Sequence, residues 1–226
     1  MNKIFNINSA LTIFIKDFRS ELRTRYALNA LIMFVITTLA IILFAVANET
    51  PSIEISAGIL WIVIFFSAMS GMARTFVSEE ERGTVMTLHL IAKPSTVFFG
   101  KLLFNLILLF LMNIFTVVLY LILIPSFIIK SYDIFLLTIF LGTIGLSAAS
   151  TIIAAIIAKS NTKGTLYPVL SFPILLPLLM IVIKSTKSAL EGIEIAKAMG
   201  DFQVMIAYFV VIIAVSYLLF DYVWKD

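Results

Sequence analysis

The sequence predicts an all-α integral membrane protein with six transmembrane helices, and three observations carry that prediction. Hydrophobic residues make up 62% of the chain and charged residues only 13%, against about half and about a quarter in soluble domains. The mean hydropathy is +1.12. Six apolar runs approach the roughly 20 residues needed to cross about 30 Å of hydrocarbon. A water-soluble core cannot hide that much apolar surface, so lipid is the solvent.

The runs are 27–47, 58–73, 102–124, 134–158, 166–183 and 204–222. The second and fifth are short and are expected to extend into their flanks. Each is expected to be a helix, because a backbone in lipid must satisfy its own polar groups. The period-two alternation of a barrel strand is absent. One permease domain is expected over 1–226, with an interfacial helix in 1–26 and the six-helix bundle in 27–226. The residues before Ala27 are too many and too charged for a cleavable signal peptide, so the first span is expected to be retained.

Basic residues set the orientation. Twelve of the 16 Lys and Arg fall on one side of the six runs, among them Lys16, Arg19, Arg23, Arg74, Arg82 and Lys101; Lys130, Lys184, Lys187 and Lys197 fall on the other. The positive-inside rule puts both termini and the Glu79–Arg82 cluster in the cytoplasm. Two amphipathic pieces lie outside the runs. Leu11, Phe14, Ile15, Phe18 and Leu22 share one helical face, with Lys16, Asp17, Arg19 and Arg23 on the other, as in a helix lying on a leaflet. On the opposite side, Ser188 and Glu191 have capping-box spacing. Leu190, Ile193, Ala196 and Met199 then suggest a short helix that Gly200 ends.

Composition excludes several functions. With no cysteine, disulfides, thiolate catalysis and cysteine-held metals are excluded. A net charge of +3 without a basic patch gives no reason to expect a nucleic-acid partner. The middles of the spans carry no Asp, Glu, Lys, Arg or His, which counts against a proton-driven carrier. Sodium coupling through backbone carbonyls stays open. His89 is the only histidine; it reads as a polar residue on an interfacial helix, or as a haem or metal ligand. No G-x-x-x-x-G-K-[ST] loop is present, so ATP is not bound in that way by this chain, and no nucleophile–base constellation suggests an enzyme.

Polar and small residues inside the spans have two readings each. Asn105 and Asn113 share a face of the third span, close to Thr116; they either bond across to another helix or line a substrate path. Gly142, Gly145 and Ala149 form a small-residue face suited to close packing. Pro168, Pro173 and Pro177 each remove a backbone donor from the fifth span, predicting a kinked or broken helix that also serves as a deformable element.

The charged break at Ser78–Thr84 is the part most suggestive of function. After Glu79-Glu80-Glu81-Arg82-Gly83 come Val85, Leu88, His89, Ile91 and Ala92, a short amphipathic helix that Pro94 stops. Gly100-Lys101 then returns the chain to the membrane. A partner pressing on this helix would move the second and third spans together. Glu81-Arg82-Gly83-Thr84, Leu88, Pro94 and Gly100-Lys101 resemble the membrane subunits of ABC-2 exporters.

A narrower resemblance covers almost the whole chain. Lys16-Asp17-Phe18-Arg19 with Leu22-Arg23, Gly58-Ile59-Leu60-Trp61, Phe76 followed by Glu79 and Gly83, and the run from Pro173 through Pro177 are similar to the CcmB family. Glu79 departs from that family's Asp but keeps the charge. The resemblance implies a permease subunit without catalysis of its own, in the bacterial inner membrane. Its expected partners are a CcmA-type ATPase that holds the ATP, CcmC- and CcmD-type membrane subunits and, indirectly, a CcmE-type haem chaperone. It implies haem as a cargo of the complex rather than a cofactor of this chain, with ATP hydrolysis driving either haem transfer or release of the haem-loaded chaperone. It also implies that Phe76, Glu79, Glu80, Glu81, Arg82, Gly83, Leu88 and Pro94 couple the ATPase to the membrane. The alternatives are an ABC-2 permease for a glycan, lipid or drug, and a stand-alone channel or carrier.

Overall fold

The computed structural model describes residues 7–46, 50–159 and 166–225. Among them the only regular elements are nine helices: α1 (Ile7–Thr24), α2 (Tyr26–Val46), α3 (Ile53–Met72), α4 (Val77–Glu81), α5 (Val85–Ile91), α6 (Pro94–Leu123), α7 (Tyr132–Ala158), α8 (Leu166–Glu191) and α9 (Ile195–Lys225). Six of them, α2, α3, α6, α7, α8 and α9, are long and apolar enough to cross a membrane. The protein is a multi-pass helical membrane protein.

The helix bounds run beyond the apolar runs wherever polar residues continue the helix outside the hydrocarbon. Pro94, expected to stop the preceding helix, also starts α6: it occupies the first helical position, where its missing N–H and fixed φ cost nothing. The third span therefore begins eight residues before Leu102. On the opposite side no separate helix runs from Ser188 to Gly200. Ser188 is carried in the last turn of α8, its hydroxyl donating to the Lys184 carbonyl at 3.2 Å. The break comes at Gly192, whose φ of +80° lets Ile193 N–H close back on the Ser188 carbonyl at 3.1 Å. Gly200 lies inside α9. The capping-box spacing was a local signal overridden by a helix already in progress. Through Pro173 and Pro177, α8 stays helical, and the Tyr208 hydroxyl of α9 donates to the Ile174 carbonyl between them at 3.0 Å.

The bundle is organised around α7, the most enclosed span, which packs on α3, α6, α8 and α9. Its small residues make this possible. A Cβ on Gly142 would run into the Trp61 ring and meet Val182 at 3.1 Å; one on Gly145 would meet Leu178 at 3.0 Å. Polar groups in this interior are satisfied across helices, as lipid demands. Asn105 donates to the Thr151 hydroxyl and Asn113 to the Thr143 hydroxyl, both at 2.8 Å. Two asparagines eight apart on α6 thus meet two threonines eight apart on α7 in reverse order, which fixes the antiparallel register. Trp61 donates to Thr186 at 2.8 Å, and Thr138 pairs with Ser185 at 2.7 Å.

The two ends of the bundle are built differently. At the α8–α9 turn, Lys130 and Ser131 N–H donate to the Ala189 carbonyl at 3.2 and 2.9 Å. Lys187 pairs with Glu54 at 2.5 Å, and Tyr120 donates to the Ser56 carbonyl at 2.8 Å. The other end carries α1, α4, α5 and the last turns of α9.

Gly142→Val should lower the melting temperature of the purified protein in mild detergent, a loss of about 1–3 kcal/mol from overpacking. Gly200→Ala, where a Cβ meets nothing within 4 Å, should leave it unchanged or raise it by up to about 1 kcal/mol. A Gly142→Val protein that melts with the wild type would remove the close packing of α7 from this account.

Candidate functional site: a charged elbow between the second and third spans

The end of α3 does not pass straight into α6. Residues 73–93 turn back as an elbow of two short helices, α4 and α5. The sequence shows why the chain turns there. Gly83 has φ +66°, a left-handed conformation that a Cβ disfavours. It lets Gly83 N–H reach the Glu80 carbonyl at 3.1 Å and Thr84 N–H the Glu79 carbonyl at 3.0 Å. That pair of bonds ends α4 in a Schellman motif. The expected single coupling helix is therefore two, joined by Gly83.

Glu79 faces inward from α4. It accepts from Lys101 at 2.8 Å and from Lys16 of α1 at 2.5 Å, and Thr84 donates to its other oxygen. Lys101, only 2% exposed, also lies 3.1 Å from Asp17 and donates to the Thr75 carbonyl at 3.0 Å. Two ammonium groups and two carboxylates thus join α1, α4 and α6 in one cluster, in which Lys101, Glu79 and Asp17 are buried and Lys16 reaches in from the exposed side. Thr75 carries it further: its hydroxyl bonds Asn105 at 3.2 Å, and Asn105 reaches Thr151 of α7. Burial pushes the Glu79 carboxyl up, but the Lys101 charge and the hydrogen bonds from Lys101, Lys16 and Thr84 outweigh it and hold the group down at about 2.

Below α4 lies an aromatic floor. Phe76 packs against Phe220 and Trp224 of α9, with ring centroids 5.7 and 6.0 Å apart. His89 stacks on Trp224 at 4.7 Å. Leu88 is buried with them. No group of three or more His, Cys, Asp or Glu able to hold a metal occurs among the described residues.

The residues expected to couple a partner thus divide. Phe76, Glu79 and Leu88 are buried and shape the elbow. Glu80 is half-buried, Pro94 starts α6, and Glu81, Arg82 and Gly83 are exposed. Asn105 belongs to the buried network and Asn113 to the α6–α7 register. Pro173 and Pro177 lie inside α8 and Pro168 in its first turn.

Sequence reasoning missed two parts of this site. On α5, Met86, Leu90 and Ile91 are 76%, 75% and 73% exposed; Ile91 had been expected on the packed face. In α1, Asp17 had been expected on the solvated side. Instead Ile13 and Asp17 face α6, which approaches closely because Gly100 has no side chain: a Cβ there would meet the Ala10 carbonyl and the Ile13 Cβ, both at 2.8 Å. The available signal was the i, i+4 pair Lys101 and Asn105, a polar stripe at the start of an otherwise apolar helix.

The sequence model of the family described as CcmB protein matches residues 8–221. The chain belongs to the CcmB family. The match takes in α1, the elbow and all six spans together. The same chain finds no match among curated proteins. CcmB membership makes this a membrane permease component of a haem exporter type.

Glu79→Gln leaves two ammonium groups facing Asp17, and Lys101→Met leaves two carboxylates facing Lys16. Each should cost about 3 kcal/mol, read as thermal or denaturant unfolding in detergent. The double variant retains the Lys16–Asp17 pair, 3.2 Å apart, and should recover most of that loss. A double variant no better than the worse single would refute the pairing. Because Glu79 is held below its ordinary 4.5, its contribution is complete above that pH and fades as pH falls towards about 2. The gap between wild type and Glu79→Gln should narrow over that window.

Proposed function

We propose that this CcmB-family chain is the membrane-spanning permease subunit of an ABC complex acting in haem export or delivery for cytochrome c maturation. ATP is hydrolysed by a separate CcmA-type ATPase, and CcmC- and CcmD-type subunits complete the assembly. The elbow receives the ATPase on the cytoplasmic side, the side to which the basic residues assign it. The product of the cycle is haem transfer, or release of the haem-loaded CcmE-type chaperone, at the bacterial inner membrane.

One observation carries this reading. The elbow presents Met86, Leu90 and Ile91 to the outside, beside exposed Glu81 and Arg82, while its underside is tied by charge to α1 and α6 and by aromatic packing to α9. Apolar side chains on an exposed turn suit a partner surface. Buried ion pairs beneath them suit transmission, because displacing α4 would pull on Lys101 and Lys16 together. Arg74, just after α3, supports the turn by pairing with Glu81 and lies 4.8 Å from the Tyr26 ring centroid.

Met86→Asp/Leu90→Asp should abolish co-purification with the ATPase subunit while the variant melts within a degree or two of wild type. Haem-chaperone release by the reconstituted complex should fall with it. Normal ATPase capture by that variant would exclude the elbow as the docking surface. An unmutated complex that captures the ATPase and hydrolyses ATP but drives no haem step would exclude the haem reading.

A further inference from the structure

We propose that the groove between α1 and the α4–α5 turn binds the phosphate headgroup of an anionic glycerophospholipid. The helix α1 presents three lengthwise faces. Ile13 and Asp17 are buried against α6, and Leu11, Ile15 and Leu22 are exposed. The third face carries Lys16, Arg19 and Arg23 at intervals of three and four residues, so that they stand in one row. That row is one wall of a groove of about 570 Å³, and Arg82 and Thr84 stand on the other.

The charge of this groove is not balanced from within. Its two carboxylates, Asp17 and Glu79, are engaged by Lys101 and Lys16. Arg82 is oriented by a hydrogen bond to the Ser20 hydroxyl at 3.0 Å. Arg19 and Arg23 are exposed and make no ion pair among the described residues. Three guanidinium groups therefore face one space, with planar donor forks matched to phosphate oxygens.

The flank of the groove selects a lipid over a free anion. Ile15 borders the groove and continues into the exposed apolar face of the same helix. The helix lies against the first turns of α6 and runs directly into α2, at the level where spans leave the hydrocarbon. A ligand placed there meets cations and apolar side chains within one helical turn, the arrangement of an interfacial helix on anionic lipid.

The test uses the full chain in an uncharged maltoside detergent. Native mass spectrometry would follow titration with dioleoylphosphatidylglycerol and, in parallel, dioleoylphosphatidylcholine. The expected result is preferential retention of the anionic lipid, weakened about tenfold or more in Arg19→Gln/Arg23→Gln and several-fold in Arg82→Gln, with melting temperatures unchanged. Lys197→Gln, at the opposite end of the bundle, should bind as wild type. Glycerol phosphate at equal concentration should not displace the lipid. Equal retention of the two lipids would overturn the proposal, as would wild-type affinity in both arginine variants. Displacement by glycerol phosphate would do the same by revealing a soluble-anion site.

Discussion

The ammonium group of Lys101 is the constraint around which this end of the protein is arranged. A buried cation without partners is too costly to keep, and its desolvation is offset only when several groups converge on it. Here the partners come from α1 and α4 and from the backbone at Thr75. One nitrogen therefore fixes the position of the N-terminal helix, the elbow and the start of α6 relative to one another. Lys101 also lies 5.6 Å from the Phe76 ring centroid, which brings the aromatic floor into the same arrangement.

The membrane interior obeys the same rule with neutral groups. Asn105, Asn113, Trp61 and Thr138 each find a partner on a neighbouring helix. Such bonds contribute about 1 kcal/mol each, less than close packing, but their geometry chooses the register. Packing supplies the rest, through the glycines of α7 that admit Trp61 and Leu178. At the α8–α9 turn, backbone and side-chain bonds hold the loops flat against the bundle. The elbow end instead buries Lys101, Glu79 and Asp17 and leaves Met86, Leu90 and Ile91 exposed beside Glu81 and Arg82. The two ends thus differ in what they offer to another molecule.

The spans were legible because lipid dictates both length and composition. Their ends were not, because beyond the hydrocarbon a helix continues on backbone bonds alone, and polarity stops reporting it. That is why α6 starts at Pro94 and α9 at Ile195 rather than at the apolar runs inside them. The elbow could be found from its charge, its Gly-Thr pair and Pro94. Its internal wiring could not: the whole of α5 and its two connections separate Glu79 from Lys101, and α2 and α3 separate Asp17 from Glu79, so no local spacing announces them. Likewise, α1 was readable as amphipathic, but a two-sided reading has no place for the further face on which Ile13 packs at Gly100 and Asp17 turns inward to Lys101. Ser188 and Glu191 misled because capping residues mark a helix start only when the chain before them is not already helical.

The aromatic floor has a bearing on how the protein is made. Phe76 and His89 emerge from the ribosome long before Phe220 and Trp224, the rings on which they rest. Until the last span is synthesised and inserted, the elbow has its ion pairs and its contact with α7 but lacks the α9 rings beneath Phe76 and His89. The packing of the elbow is therefore completed last, and only a chain with its last span in place holds it in finished form. A chain without its last span would carry the same elbow sequence but not the rings on which Phe76 and His89 rest.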